Sequence, residues 1–130
     1  MSEKVRFQLE YSMNTSAKIL YNRLSTPAGL AEWFSDDVNV VDNNSVYVFI
    51  WEGSEQRARV TSKKDLKHIR FHWIDEEDDE NAYFEFKINI DDLTSDLALM
   101  ISDAAEPDEI EDSKSLWDTQ ITNLRSVLGS

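Results

Sequence analysis

The two histidines, His68 and His72, are the side chains whose type and spacing could hold a metal ion or transfer protons near neutral pH. They lie four residues apart in a segment with strand periodicity, so an extended chain would separate them by about 13 Å. One ion cannot be shared across that distance. The sequence has no cysteine, and no Ser-His-Asp set, phosphate-binding glycine loop or EF-hand spacing is present. We therefore predict no metal and no cofactor, and we identify no catalytic residue.

Two tyrosines are the remaining candidates for chemistry, because Tyr11 and Tyr47 carry the hydroxyl groups on faces predicted to point inward. In an apolar cavity, a tyrosine hydroxyl could donate a hydrogen bond to a ligand carbonyl or stabilise an enolate. A buried tyrosine more often uses its hydroxyl to reach a polar partner at the edge of the core. We favour this second interpretation and keep an enzyme as an alternative.

Hydrophobic periodicity places these residues in an ordered series of elements. Residues 4–11 alternate as a strand, and residues 14–25 and 27–34 then form two short helices. Six further strands follow, separated by turn residues as in antiparallel hairpins. They are predicted at Val38–Val41, Val46–Trp51, Glu55–Lys63, Lys67–Asp75, Ala82–Ile90 and Thr94–Ser102.

The C-terminal segment Pro107–Gly129 is predicted to be one long helix. Pro107 suits the first helical position, acidic residues follow it, and Gly129 can cap the end. The apolar residues of this segment recur at helical spacing and form one stripe: Ile110, Trp117, Ile121, Leu124 and Leu128. The stripe needs an apolar partner surface, and the preceding strands offer one, so we predict an α+β fold in which this helix packs on an antiparallel sheet.

Length and composition indicate one folded domain spanning residues 1–130. Hydrophobic residues make up 41% of the chain, with an aromatic content that disordered chains lack. The net charge of -13 argues against nucleic-acid binding, since phosphate contacts need a basic surface. The charged amino terminus does not resemble a signal peptide, and no apolar run is long enough to span a membrane. We expect a cytoplasmic protein.

Four segments, in this order along the chain, carry a family resemblance. They are LYNRLSTPAGLAEWFSDDV at Leu20–Val38, VFIWEG at Val48–Gly53, IRFHW at Ile69–Trp73 and SLWDTQITNLRSVL at Ser115–Leu128. Together they resemble the START-like (SRPBCC, helix-grip) superfamily, and within it the domain related to the activator of the ninety-kilodalton heat-shock chaperone's ATPase. The resemblance implies a curved antiparallel sheet wrapped around the long C-terminal helix, with two short helices after the first strand.

The resemblance also implies a cavity between sheet and helix, which holds apolar molecules in some relatives and serves as a protein-binding surface in others. We predict non-catalytic binding of a small hydrophobic ligand in this cavity; a co-chaperone-like interaction module is the first alternative and a polyketide cyclase-like enzyme is the second. The same large inward side chains could equally form a filled core. The predicted ligand contacts are Trp33, Phe34, Tyr47, Phe49, Trp51, Phe71, Trp73, Phe84, Phe86, Trp117, Ile121 and Leu124.

Two surface features raise the question of a protein partner or a homodimer. A stripe of Val46, Val48 and Ile50 would lie on the outer face of the sheet if the neighbouring residues face the cavity, and such a stripe favours a dimer unless a terminus or loop covers it. Basic residues also gather on adjoining strands. They either pair with acidic residues such as Glu55 and Glu85 or form a docking face for an acidic partner. These basic residues are Arg57, Arg59, Lys63, Lys64, Lys67 and Arg70.

Overall fold

The computed structural model describes residues 4–129, which form seven strands and three α-helices. The predicted domain also includes residues 1–3 and Ser130, which lie outside the described residues. Short 3₁₀ turns at Ile74–Glu76 and Pro107–Glu109 follow β5 and precede α3. In chain order the elements are β1 (Val5–Met13), α1 (Ala17–Ser25), α2 (Pro27–Ala31), β2 (Asp37–Val41), β3 (Val46–Trp51), β4 (Ser54–Lys64), β5 (His68–Trp73), β6 (Tyr83–Ile90), β7 (Leu97–Ala105) and α3 (Ile110–Leu128).

One antiparallel sheet contains all seven described strands, in the order β1-β7-β6-β5-β4-β3-β2. Strands β2 to β7 form a meander, and β1 pairs with β7 along its whole length. A register shift between Val60 and Ser62 in β4 bends the sheet locally, as a β-bulge does. The predicted α+β architecture, a curved antiparallel sheet with two short helices after the first strand and a long C-terminal helix, is confirmed.

Helix α3 contacts the sheet through the stripe predicted from its sequence. Trp117, Ile121 and Leu124 are buried in the same core cluster as the inward residues of the strands. The helix begins one 3₁₀ turn after Pro107 and ends at Gly129, whose left-handed φ of 76° closes the last turn. None of the described helices, α3 included, is long and apolar enough to cross a membrane.

The second short helix ends earlier than predicted. Helix α2 stops at Ala31, and Trp33 and Phe34 follow it in a turn. The amide of Phe34 still donates to the carbonyl of Leu30 at 2.8 Å, so the chain makes one more tight turn before β2. This turn directs both aromatic rings into the core, where only 4% of Trp33 and 5% of Phe34 is exposed.

Strand β7 covers Leu97–Ala105, three residues later than the predicted Thr94–Ser102. Asp91 delays its start, because the Asp91 carboxylate accepts the backbone amide of Thr94 at 3.0 Å and holds the preceding loop in a turn. The strand also continues past its predicted end. Asp103 is therefore a strand residue.

Two members of the apolar stripe predicted on the outer face of the sheet, Val46 and Val48, are not exposed, and the third, Ile50, is half-buried. Only 2% of Val46 and 5% of Val48 is accessible, although neither belongs to the core cluster under α3. The register places Arg59 opposite Val46 and Arg57 opposite Val48, so the apolar stems of long side chains share this face with the valines. The exposure predicted for these two valines is wrong, and the stripe gives no support to a homodimer.

The basic residues of the outer face are partly paired with acidic neighbours. Arg57 and Arg70 lie 3.2 and 3.5 Å from Glu55 and Glu85, the acidic partners expected from the sequence. Arg59 is also within 3.8 Å of a glutamate carboxylate. Exposed pairs of this kind contribute little stability, but they reduce the positive charge that an acidic partner would meet.

Gly29 lets α2 approach α1 closely enough for Trp33 and Phe34 to reach the core. A Cβ atom added at Gly29 would lie 2.3 Å from the carbonyl oxygen of Asn22 and 2.8 Å from Cα of Arg23, both of them backbone atoms. We expect Gly29→Ala to lower the free energy of unfolding by about 2–3 kcal/mol, because overpacking forces the two helices apart. Urea denaturation measures the loss.

Gly53→Ala is the control for this prediction. No atom lies within 4 Å of a Cβ added at Gly53, so the space is free. Its φ of 83° leaves only left-handed backbone strain, which costs an alanine about 1 kcal/mol. Equal losses in the two variants would contradict the close contact between α1 and α2.

Candidate functional site

Aromatic rings fill the space between the sheet and α3. Phe49, Phe71, Phe84 and Phe86 come from β3, β5 and β6, and at most 1% of each is exposed. Phe71 and Phe84 stack with ring centroids 5.0 Å apart, and Phe84 lies 5.5 Å from Phe86. Rings at these separations leave no room for a ligand between them. An open site must therefore lie at the edge of this core.

A pocket opens at the edge of the sheet where β3 and β5 end. These two strands run in the same direction, because one antiparallel strand separates them. Their last residues, Trp51 and Trp73, therefore meet at one edge, and α3 passes over it. We call this site, which has a volume of about 360 Å³, the aromatic pocket. Its lining residues are Phe34, Trp51, Gln56, Trp73, Asp103, Ser113, Leu116, Trp117 and Gln120.

The structure divides the twelve predicted ligand contacts into groups. Four line the aromatic pocket: Phe34, Trp51, Trp73 and Trp117. Trp33 lines a neighbouring depression beside α2, which shares Phe34, Trp51 and Gln120 with the aromatic pocket and has six polar residues among its eleven. The other seven pack in the core and line none of the main pockets found in residues 4–129: Tyr47, Phe49, Phe71, Phe84, Phe86, Ile121 and Leu124.

Phe34 joins the aromatic pocket to the core. Its ring stacks on Trp117 with centroids 5.7 Å apart and meets Trp51 edge-on at 5.3 Å. Its carbonyl oxygen accepts hydrogen bonds from Trp51 Nε1 at 2.8 Å and from Gln120 Nε2 at 3.2 Å. One residue thus holds the loop, the sheet and α3 together, and it fixes two walls of the pocket before any ligand binds.

Asp103 places a carboxylate in the wall of the aromatic pocket. Its Oδ2 accepts a hydrogen bond from Trp117 Nε1 at 2.8 Å, and its Oδ1 accepts one from the amide of Ala104 at 2.7 Å. Burial raises the pKa of Asp103, and the hydrogen bonds and the charges of Arg6 and Lys4 offset this only in part. The lining residues therefore include one acidic group whose charge is costly in its surroundings.

Asp103 is not among the predicted contacts, because the predicted strand ended at Ser102. The signal was present, since Leu97, Leu99 and Ile101 alternate inward and one further step of the same period reaches residue 103. Aspartate is depleted in strands, so local preference favoured an end before it.

The two tyrosine hydroxyls considered for catalysis have partners outside the aromatic pocket. The Tyr47 hydroxyl donates to the carbonyl of Ser25 at 2.5 Å in the buried core. The Tyr11 hydroxyl donates to the carboxylate of Asp118 at 2.5 Å near the surface, and burial together with this bond raises the pKa of Tyr11 above its usual range. Both tyrosines thus use their hydroxyls for polar partners within the protein, as we favoured from the sequence, Tyr11 near the surface and Tyr47 inside the core.

The histidines lie on the outer face of β5, away from the aromatic pocket. His68 Nε2 is 2.9 Å from Ser62 Oγ, and His72 Nε2 is 3.0 Å from the carbonyl oxygen of Asp79. Within the described part of the chain, no group of three or more histidine, aspartate or glutamate side chains is placed to hold a metal ion.

Comparison with known proteins assigns this arrangement of sheet, helix and pocket to a family. A family model for the START-like superfamily domain matches residues 1–130. The chain belongs to the START-like superfamily. This superfamily commonly binds hydrophobic ligands. A comparison with functionally curated proteins gives no match.

Solved structures with the START-like fold resemble the chain over almost its whole length. The solution structure of BfR322 from Bacteroides fragilis is 40% identical, with a TM-score of 0.67 over 96% of this chain and 91% of that one. The Aha1 dimer from Colwellia psychrerythraea is 18% identical, with a TM-score of 0.76 over 95% and 96%. Protein MLL2253 from Mesorhizobium loti is 14% identical, with a TM-score of 0.74 over 96% and 97%. The last two identities show the fold alone.

Asp103→Asn removes the charge of this side chain and one of its two hydrogen bonds. The dependence of stability on pH distinguishes the two effects. Asparagine has one carbonyl oxygen, so one of the two bonds is lost at every pH, at a cost of about 1 kcal/mol. The charge, in contrast, changes the folding stability only as the pH changes. Because the pKa is raised on folding, the folded wild type binds the proton more tightly than the unfolded chain, and its stability falls as the pH rises through the raised pKa.

We therefore expect the stability difference, wild type minus Asp103→Asn, to decrease as the pH rises above about 4, the ordinary pKa of an aspartate. Urea denaturation of both proteins at each pH measures it. A difference that stays constant or increases with pH would contradict the burial of an ionisable group at the pocket wall.

Proposed function

We propose that the protein binds a small apolar ligand in the aromatic pocket without catalysing a reaction. Phe34, Trp51, Trp73 and Trp117 supply the direct contacts. The open volume of about 360 Å³ carries this proposal, because it lies within the range of small-molecule sites and five of its nine lining residues are apolar, four of them aromatic. Membership of a superfamily that commonly binds hydrophobic ligands supports the same function.

The four contact residues are ordered before a ligand arrives. The indole N–H groups of Trp51 and Trp117 are bonded to the Phe34 carbonyl and to Asp103, both at 2.8 Å. Trp73 packs against a core ring, that of Phe84, with centroids 5.2 Å apart. A ligand therefore does not have to immobilise these side chains, which lowers the entropic cost of binding.

Some of the predicted contacts that lie in the core support the pocket rings from the core side. Phe84 supports Trp73, and Phe49 lies 5.7 Å from Trp51 in a stacked arrangement. We assign these core residues the role of fixing the pocket rings, and Trp33, whose ring contacts Phe34, has the same indirect role.

The alternatives considered from the sequence have less support. A cyclase-like enzyme needs an acid or base with further polar groups beside its ligand; the lining residues of the aromatic pocket offer one carboxylate, Asp103, whose two oxygens already accept hydrogen bonds, and no tyrosine or histidine accompanies it. A co-chaperone-like module was predicted from the resemblance and from the basic residues of the outer face, which are partly paired with glutamates, and a homodimer has the fold shared with the Aha1 dimer at 18% identity. An identity of 18% shows the fold and does not identify a binding partner for this chain.

A neutral apolar fluorophore, N-phenyl-1-naphthylamine, tests the proposed function. We expect saturable one-to-one binding with increased fluorescence, because the pocket removes the probe from water. Ser113→Phe should weaken this binding at least about tenfold, since Ser113 lines the pocket and a phenyl ring there occupies its volume. Fluorescence titration measures the affinity, and circular dichroism checks that the variant is folded.

Ser115→Phe is the matched control on the same helix. Ser115 is exposed and lies outside the pocket, so this change should leave the affinity within about twofold. Equal affinities for the wild type and Ser113→Phe would contradict the proposed site. Failure of the wild type to bind the probe saturably would contradict the proposed function.

A further inference from the structure

Asp103 forms no ion pair with any residue in the part of the chain that the structure describes. It lines a pocket whose other large walls are indole and phenyl rings. An ionised carboxylate in such surroundings is destabilised unless a positive charge comes close. The hydrogen bonds from Trp117 and from the amide of Ala104 orient the carboxylate but bring no full charge.

The two cations that act on Asp103 through space are engaged elsewhere. Arg6 donates three hydrogen bonds, to two backbone carbonyls and to Ser102 Oγ, at 2.6–2.9 Å. Lys4 pairs with Glu76 at 2.5 Å. Neither side chain can enter the aromatic pocket without breaking these bonds. A compensating positive charge at Asp103 would therefore have to come with the ligand.

Indole rings provide a second attraction for a cation at the same place. Trp51, Trp73 and Trp117 are three of the nine lining residues. The cation–π attraction is strongest for tryptophan and increases when water is excluded. A cation that carries apolar groups can use both the rings and the carboxylate. A compact ammonium group like that of lysine would first have to lose strongly bound water.

We propose that the ligand of the aromatic pocket is an organic ammonium ion with apolar substituents, whose charge lies beside Asp103 among the tryptophan rings. This inference rests on the proposed function and specifies its ligand class. The net charge of -13 also favours the approach of a cation to this protein.

Phenyltrimethylammonium and tert-butylbenzene are matched probes, because they have nearly the same shape and differ in charge. We expect the wild type to bind the cation at least about tenfold more tightly, as measured by isothermal titration calorimetry at low ionic strength. Asp103→Asn should weaken cation binding at least about tenfold, and it should lower the ratio of cation affinity to tert-butylbenzene affinity by a similar factor. Asp92→Asn removes an exposed charge from the loop between β6 and β7, and it should retain the preference for the cation.

Two results would overturn this inference: a wild type that binds the cation no more tightly than tert-butylbenzene, or an Asp103→Asn variant that binds the cation as tightly as the wild type. Binding of tert-butylbenzene alone would leave the proposed function intact, because a neutral apolar molecule would still occupy the pocket. If neither probe nor N-phenyl-1-naphthylamine binds, both proposals fail. The comparison of the two probes in the wild type decides the inference even if Asp103→Asn does not fold.

Discussion

Phe34 is inserted between the sheet and α3, and it connects both of them to the loop after α2. Its ring lies within 6.0 Å of rings from β3, β6 and α3. Its carbonyl oxygen holds Trp51 and Gln120, one on the sheet and one on the helix. Phe34 comes from the loop after α2, so the close approach of α1 and α2 at Gly29 decides whether it can reach this place. The two short helices thus serve to position one ring.

The rings that stabilise the core also decide where a ligand can bind. The phenylalanines of β3, β5 and β6 are almost fully buried, which gives hydrophobic stabilisation but leaves no internal space. The edge of the sheet is different, because Trp51 and Trp73 end their strands there and remain half-buried. Within a superfamily that commonly binds hydrophobic ligands, we infer that this chain keeps its site open at the edge of a filled core.

The sequence predicted those parts of the molecule that depend on backbone period. Strand alternation and the stripe of α3 follow from which face is buried, and this is local information. The burial of Val46 and Val48 depends on arginines of the neighbouring strand, which only the register reveals. The four pocket aromatics are among the twelve predicted contacts, but only the packing of rings in three dimensions separates them from the core. Asp103 lies one residue beyond the predicted end of its strand. The turn held by Asp91 makes β7 begin and end three residues later than predicted.

The indole N–H groups of the four tryptophans can report whether a ligand binds at the edge of the filled core. Trp51, Trp73 and Trp117 line the aromatic pocket, whereas Trp33 lies outside it and donates to the carbonyl of Arg23 at 2.8 Å. In ¹H–¹⁵N correlation spectra recorded with increasing naphthalene, the three pocket indole signals should shift while that of Trp33 stays in place. A shift of the Trp33 signal with the pocket indole signals unchanged would contradict ligand binding in the aromatic pocket.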